Sequence, residues 1–255
     1  MFDRELMRVF LDKVPDLRSP WKGLFTLLYV LFLSGLCVLF FYYVDGIAPF
    51  MAFVSQLGMA LLTTFISYIH FKQAAPYRQK YGARAYHYYF YHWMLPYLVT
   101  WYACCFHPLF VGSTAWLPPG LAIRGGSFLL VLMVLTGIHI ERAGFHEMTH
   151  GMDIYTVFPE ETTVVYGEIY GYIRHPLYFA LTCGTFALAF FRNTPLAYLS
   201  ALLQLIPALA AGYMEDRELI ARSGEAHRAY VQKTAMLFPL WRLGSFLKLL
   251  FFVGG

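Results

Sequence analysis

A short polar segment between apolar stretches carries the side chains with the clearest chemical potential. Arg174 and His175 directly precede Pro176. Proline suits the first turn of a helix because it has no N–H to leave unpaired and its φ is fixed, and the residue before it favours an extended conformation. We therefore expect a helix to begin at Pro176, with its positive dipole end beside two cationic side chains. Such an arrangement is typical of an anion-binding site.

Two neighbouring carboxylates, Glu215 and Asp216, follow a second apolar run. The first run spans residues 177–191, and a turn at residues 192–195 separates the two runs. This turn lies midway between His175 and Glu215. Two antiparallel helices of equal length would therefore bring the cations and the carboxylates to the same membrane face. A zwitterionic ligand would find partners for both of its charges there.

The combined pattern resembles a known group of integral membrane enzymes. These are the methyltransferases typified by isoprenylcysteine carboxyl methyltransferase, which include the phospholipid methyltransferases. The resemblance covers about residues 155–239 and rests on the apolar hairpin together with Arg174-His175-Pro176-x-Tyr178, Glu215-Asp216, and Ser223-Gly224 followed six residues later by Tyr230. It implies a methyltransferase that depends on S-adenosylmethionine.

Some positions depart from the usual pattern of that family. Ala180 stands where a glycine is usual, and Asp216 replaces the second glutamate of the acidic pair. Ser223 stands in place of an aromatic residue, and His227 stands in place of a tyrosine. These departures concern the details of the acceptor pocket rather than the class of enzyme.

The resemblance also implies a set of cofactor-binding residues. Arg174 and His175 suit the carboxylate of S-adenosylmethionine, and Glu215, with Asp216 as a second candidate, suits its ammonium or ribose diol. Tyrosine rings can stack on adenine or lie near the sulfonium. The alternative is a structural ion pair between Arg174 and Glu215. The full predicted set is Tyr170, Tyr172, Arg174, His175, Tyr178, Glu215 and Asp216.

A second motif, His146-Glu147-x-x-His150, matches the pattern of zinc peptidases. On a helix, histidines four residues apart share a face and could bind zinc while Glu147 serves as the base. Glycines at positions 144 and 151 would keep that helix short, and no third ligand is compelling, although Asp153, Glu160, Glu161 or Glu168 could be offered. We therefore expect no metal and treat His146, Glu147 and His150 as candidate catalytic residues of the acceptor pocket, where one of them could take a proton from the acceptor. A membrane zinc metalloprotease is the alternative interpretation.

An NADPH-dependent sterol reductase is a further alternative, because such membrane enzymes share an Arg-His-Pro-x-Tyr hairpin. They usually carry asparagine before the tyrosine and Gly-Glu after it. Here Leu177 precedes Tyr178, and Phe179-Ala180 follows it. The sequence therefore favours the methyltransferase.

The composition indicates a membrane protein. Hydrophobic residues make up 59% of the chain and charged residues only 13%, outside the range of soluble proteins. Apolar segments long enough to cross a bilayer occur at about residues 24–44, 50–69, 93–111 and 121–140, and the hairpin adds two shorter ones. We predict an all-α, polytopic protein of about six transmembrane helices, with a lipid or lipophilic acceptor and no nucleic-acid partner. The sequence carries no signal for an oligomeric state.

The distribution of charge predicts the orientation. With six spans, every lysine and arginine except Arg124 and Arg192 falls on one side, which the positive-inside rule assigns to the cytosol. Both termini, the hairpin base and the soluble cofactor would then share that side. The predicted regions are an amphipathic interfacial helix (1–22), a four-span region (23–140), a methyltransferase core with cytosolic segments that cap the hairpin (141–239), and an interfacial tail (240–255).

Overall fold

The computed structural model describes residues 4–112, 114–144, 154–161 and 164–253. Within these residues the protein is all-α, as the sequence predicted, and it contains no strand beyond an isolated bridge between Ile173 and Ala235. The helices are α1 (Arg4–Lys13), α2 (Pro20–Asp45), α3 (Met51–Tyr81), α4 (Ala85–Tyr89), α5 (Leu95–Phe106), α6 (Pro119–Arg142), α7 (Ile154–Val157), α8 (Pro176–Arg192), α9 (Pro195–Leu203), α10 (Leu205–Ser223), α11 (Glu225–Lys233) and α12 (Leu243–Leu250).

Several of these helices are suited to a bilayer. In the described part of the chain, four helical stretches are long and apolar enough to cross a membrane, namely Pro20–Asp45, Met51–Leu109, Pro119–Arg142 and Pro195–Ser223, while α8 is apolar but shorter. The stretch Met51–Leu109 includes α3 and α5, which pack against each other. The structure therefore confirms a polytopic helical protein, whereas the count of six spans and the orientation stay predictions.

The surface of α2 shows what surrounds the protein. Trp21, Phe25 and Phe32 are 73%, 68% and 61% exposed, and most other large apolar side chains of this helix are exposed as well. Soluble monomers rarely expose a continuous apolar surface of this size. Lipid tails, which are as apolar as these side chains, would cover it.

Small residues bring α6 and α8 into close contact. A Cβ at Gly125 would lie 2.5 Å from the ring of Phe190, and one at Gly126 would lie 2.6 Å from the ring of Phe191. On the other helix, a Cβ at Gly184 would lie 2.7 Å from the sulfur of Met133. Close packing through small residues is a main source of helix association in membranes, where the hydrophobic effect does not act between helices.

Buried polar side chains join further helices. Gln56 of α3 donates from Nε2 to the carbonyl of Cys104 (3.0 Å) and to that of Ser200 (3.2 Å), which links α3 to α5 and α9. Thr182 of α8 donates to the Oε1 of Gln204 (3.3 Å). Hydrogen bonds of this kind stabilise helix bundles in an apolar medium.

The second arm of the hairpin differs from the single apolar helix that the sequence predicted. Gln204 separates α9 from α10. Pro207 explains the break, because its ring clashes with the carbonyl four residues earlier, at residue 203, and it has no N–H for that carbonyl. Beyond the hairpin, α10 and α11 are separated at Gly224, which has φ 62° and ψ −136°, a conformation that glycine alone adopts readily.

We expect Gly126→Ala to lower the free energy of unfolding by about 1–3 kcal/mol, because the added methyl group overpacks the α6–α8 contact. The matched control is Gly137→Ala on the same helix, where a Cβ meets nothing within 4 Å. The control should be neutral or stabilising, since alanine is the better helix former. Denaturant unfolding in detergent micelles measures both variants, and an equal effect of the two would contradict the proposed packing.

Candidate active site

The backbone that leads into α8 is held by a second segment of the chain. His175 has φ −121° and ψ 67°, outside the helical region, and Pro176 is the first residue of the helix. The N–H of Arg174 donates to the carbonyl of Ala235 (2.9 Å), and the N–H of His175 donates to that of Met236 (3.2 Å). These two hydrogen bonds fix the backbone positions from which both cationic side chains extend.

The side chain of Arg174 is 8% exposed, and each of its three nitrogens donates a hydrogen bond. Its Nε and Nη2 donate to the carboxylate of Asp216 at 2.9–3.2 Å. Its Nη1 donates to the carbonyls of Val231 (3.0 Å) and Thr234. The guanidinium thus joins α10 to the end of α11. The partner in the ion pair is Asp216, whereas the sequence had pointed to Glu215.

His175 lies between the two carboxylates. Its Nε2 is 3.1 Å from Asp216 Oδ1, and its Nδ1 is 3.2 Å from Glu215 Oε2. Helix α10 can approach this closely because residue 212 is glycine, where a Cβ would lie 3.0 Å from the imidazole ring. An imidazole that donates to both carboxylates carries a proton on each nitrogen, which is the charged form.

Electrostatics agrees with this protonation state. Burial by itself lowers the pKa of His175, but the charge of Glu215 and the hydrogen bonds to Asp216 and Glu215 outweigh it and raise the pKa to about 9. His227 lies on the other side of Asp216, with its Nε2 3.5 Å from Oδ1. Burial lowers the pKa of His227 more strongly than this carboxylate raises it. At neutral pH, His175 is therefore the charged histidine of the pair.

Glu215 is the more accessible of the two carboxylates. It accepts hydrogen bonds from the hydroxyls of Tyr155 (2.9 Å) and Tyr178 (3.1 Å). Its side chain is 19% exposed, compared with 6% for Asp216. Glu215 is therefore the acidic group that a ligand can reach most readily.

Aromatic rings continue the site toward α5. Tyr178 stacks on His175, with centroids 5.4 Å apart, and on Trp101, with centroids 5.1 Å apart. Tyr97 lies 5.3 Å from Trp101 and 5.0 Å from His70. Such ring faces favour a nearby cation, particularly in a desolvated site.

The structure separates the two remaining predicted tyrosines. Tyr170 is buried, and its carbonyl accepts a hydrogen bond from the Tyr230 hydroxyl (2.6 Å). Burial, followed by the charge of Glu215, raises the pKa of Tyr170 above its usual range. Tyr172 instead lies under the guanidinium of Arg242, at 4.4 Å. The structure thus brings together Arg174, His175, Tyr178, Glu215 and Asp216, whereas His146, Glu147 and His150 lie outside the described residues.

Three residues of this neighbourhood were missed by the sequence reasoning: His70, Trp101 and Tyr155. His70 and Trp101 lie within apolar segments, where an aromatic residue has no distinguishing pattern. Tyr155 lies on the four-residue helix α7, too short for a periodic signal. His70 is 1% exposed, and its Nδ1 has no hydrogen-bond partner among the described residues. This unpaired nitrogen is the one signal that points to polar surroundings near His70, and it is visible only in the structure.

Comparison with known proteins supports a membrane methyltransferase. Residues 126–221 match the family model described as phospholipid methyltransferase. The match includes α8, α9 and most of α10, and with them both carboxylates of the site. It confirms the resemblance that the sequence predicted. No curated protein and no solved structure gives a significant match.

The match supports the first of the three activities considered from the sequence. For the zinc alternative, no group of three or more potential metal ligands occurs among the residues that the structure describes. The two histidines of the zinc motif are outside that part of the chain, so the expectation of no metal stays a prediction.

We expect Asp216→Asn to lower the free energy of unfolding by about 3–5 kcal/mol, because Arg174 and His175 would keep their buried charges without the carboxylate that compensates them. Asp12→Asn is the matched control. It removes an ion pair with Arg18 in which both side chains are more than half exposed, and such pairs contribute at most about 1 kcal/mol. Denaturant unfolding in micelles compares the two, and similar losses would contradict the role of Asp216.

Stability should also fall between about pH 6.5 and pH 9. Because the pKa of His175 is raised, the folded protein still holds a proton at pH values where the unfolded chain has released it, since the ordinary pKa of histidine is 6.5. This contribution is complete below pH 6.5 and is lost as the pH rises through 9, by up to about 3 kcal/mol. His175→Gln should remove the decline in this window, and unfolding measured at several pH values tests it. If stability still declines in this pH window in the variant, the decline is caused by groups other than His175.

Proposed function

We propose that the protein transfers a methyl group from S-adenosylmethionine to a lipid or lipophilic small molecule. The observation that carries the proposal is the charged network at the hairpin base, in which Glu215 remains partly exposed while Asp216 is enclosed. This network lies inside the segment that matches the phospholipid methyltransferases. When bound, S-adenosylmethionine would supply a methyl group on a sulfonium: the acceptor nucleophile would bond to the methyl carbon in line as the carbon–sulfur bond breaks, and the demethylated thioether would leave.

The residues around Glu215 fit the ammonium, ribose and sulfonium of this cofactor. The carboxylate of Glu215 can accept a hydrogen bond from the ammonium or from the ribose diol. The rings of Trp101 and Tyr178 can lie beside the sulfonium. In this proposal Glu215, Tyr170 and Tyr178 contact the cofactor, and His175 holds Glu215 in place through its Nδ1.

The structure suggests a different role for Arg174 than the sequence did. Its donors are occupied by Asp216 and by two backbone carbonyls. A ligand carboxylate would have to displace one of these partners in a buried site. Both nitrogens of His175 are likewise engaged, by Glu215 and Asp216. We therefore propose that Arg174, His175 and Asp216 position the site, and that the cofactor meets it through Glu215 and the tyrosines.

The surroundings of the site favour an acceptor that arrives from the bilayer. Leu177, which lies between Pro176 and Tyr178 at the start of an apolar helix, is 40% exposed. Lipid tails would cover this surface, so a lipophilic molecule could reach the site without crossing water. We retain His146, Glu147 and His150 as the residues that could take a proton from the acceptor.

We also propose that the hairpin base faces the cytosol, with both termini on that side. All lysines and arginines except Arg124 and Arg192 would then be cytosolic, in agreement with the positive-inside rule. A charged, water-soluble cofactor would reach the site directly.

Calorimetry on the purified protein tests the cofactor proposal. Wild type should bind both S-adenosylmethionine and its demethylated product. Glu215→Gln should weaken binding roughly ten- to a hundredfold, since a charge-assisted hydrogen bond contributes about 1.5–3 kcal/mol. Tyr178→Phe keeps the ring and should cost less.

The matched control is Glu225→Gln, which changes an exposed glutamate in a surface pair with Arg228 on α11 and should leave affinity unchanged. A folded wild type that does not bind at millimolar cofactor would refute the proposed activity. Equal binding by wild type and Glu215→Gln would retain the activity but refute the assigned site.

A further inference from the structure

A cavity separate from the site around Glu215 lies next to Tyr172. Its volume is about 430 Å³, within the size range of small-ligand pockets. It lies between the end of α6 and the C-terminal α12 and contains none of Arg174, His175, Glu215 or Asp216. Its lining includes His139, Arg142, Glu168, Tyr172, Lys248 and Phe252.

The charges of this cavity are not compensated within the described protein. Arg142 and Lys248 form no ion pair with any described acidic group. Glu168 likewise forms no ion pair with any described basic group. Two cations and one carboxylate of the lining leave an excess of positive charge, and Arg242 adds a further cation beside Tyr172. The cavity therefore favours an anion, while Glu168 disfavours a second negative charge next to it.

His139 provides an independent indication of a ligand. It is 1% exposed, and its Nε2 lies 3.3 Å from the carbonyl of Leu250, to which it can donate. Its Nδ1 is buried and has no partner among the described residues. Buried polar atoms are nearly always paired. In the tautomer that donates from Nε2, Nδ1 is an acceptor that calls for a donor, which a ligand group or a water in the cavity can supply.

The backbone is unusual at the same place. Among the described residues other than glycine, only Glu168, Asn193 and Phe252 have positive φ, at 53°, 58° and 55°. Two of these three line the cavity. Residues held in this region persist where the surroundings require it, often at ligand sites. Phe252 stacks on His139 (4.6 Å) and lies under the guanidinium of Arg142 (5.2 Å), so this conformation orders two polar side chains of the cavity.

The depth of the cavity matches that of lipid headgroups. Arg142 is the last residue of a candidate membrane span. Trp241 is 96% exposed, Leu240 is 70% exposed and Val253 is 60% exposed, as expected of an anchor in the membrane interface. Acyl chains could lie against these side chains while a headgroup enters the cavity.

We propose that this cavity binds the headgroup of a phospholipid, with its phosphodiester on Arg142 and Lys248 and a hydroxyl or amine of the headgroup donating to Glu168 and to Nδ1 of His139. A phosphodiester carries a single negative charge, whereas free phosphate carries more at neutral pH and would be repelled more strongly by Glu168. The lipid bound here is a resident ligand, separate from the methyl-transfer site.

Binding of short-chain phosphatidylglycerol to the full-length protein in micelles, followed by native mass spectrometry, tests the proposal. Arg142→Gln and Lys248→Gln should each weaken binding roughly tenfold. Arg124→Gln, an exposed charge near the other end of α6, and Lys72→Gln, an exposed cation on α3, should have no effect. All four side chains are exposed, so the fold should tolerate the changes.

Two further ligands separate the sources of the phosphate and the role of the donor group. Short-chain phosphatidylcholine, whose headgroup has no hydrogen-bond donor, should bind more weakly than phosphatidylglycerol, and Glu168→Gln should reduce this preference. Inorganic phosphate should bind more weakly than either lipid. Equal binding by wild type and the Arg142 and Lys248 variants would overturn the site, equal binding of both lipids would overturn the donor contact, and tighter binding of inorganic phosphate would overturn the lipid as ligand.

Discussion

The ion pair between Asp216 and Arg174 is the interaction on which the rest of the site depends. Both side chains are almost fully buried, and an isolated charge in that position would be strongly unfavourable. The pair is compensated because His175 adds a second cation and the carbonyls of Val231 and Thr234 accept the remaining donors of Arg174. Removal of any one charge would leave the others exposed to a medium that cannot solvate them.

This pair also explains why two adjacent carboxylates have different surroundings. Neighbouring residues on a helix point about 100° apart, so Asp216 faces Arg174 and one nitrogen of His175. Glu215 faces the other nitrogen of His175 together with Tyr155 and Tyr178. The longer glutamate reaches the more open space, whereas the shorter aspartate suits the enclosed position. The replacement of the usual second glutamate is therefore compatible with the network.

The 168–172 segment separates two polar regions with different charge. On the Tyr170 side, Arg174 and His175 balance Glu215 and Asp216, so the buried network is neutral as a whole. On the Tyr172 side, cations exceed acids and the surrounding side chains are exposed and apolar. A neutral network suits a site enclosed by helices, because net charge is costly there. An excess of positive charge suits the interface, where anionic headgroups lie.

The sequence by itself determined the all-α membrane class and the convergence of Arg174 and His175 with the acidic pair, because apolar runs, a proline start and equal arm lengths act locally along the chain. It did not determine that Arg174 would pair with Asp216, that Tyr172 would face away from Tyr170, or that Trp101 would stack on Tyr178. Those contacts join residues far apart in the chain. They depend on helix rotation, on the close approach at Gly212 and on the pairing of residues 174–175 with 235–236. Only the packed tertiary structure decides them, since each contact forms when several segments meet at once.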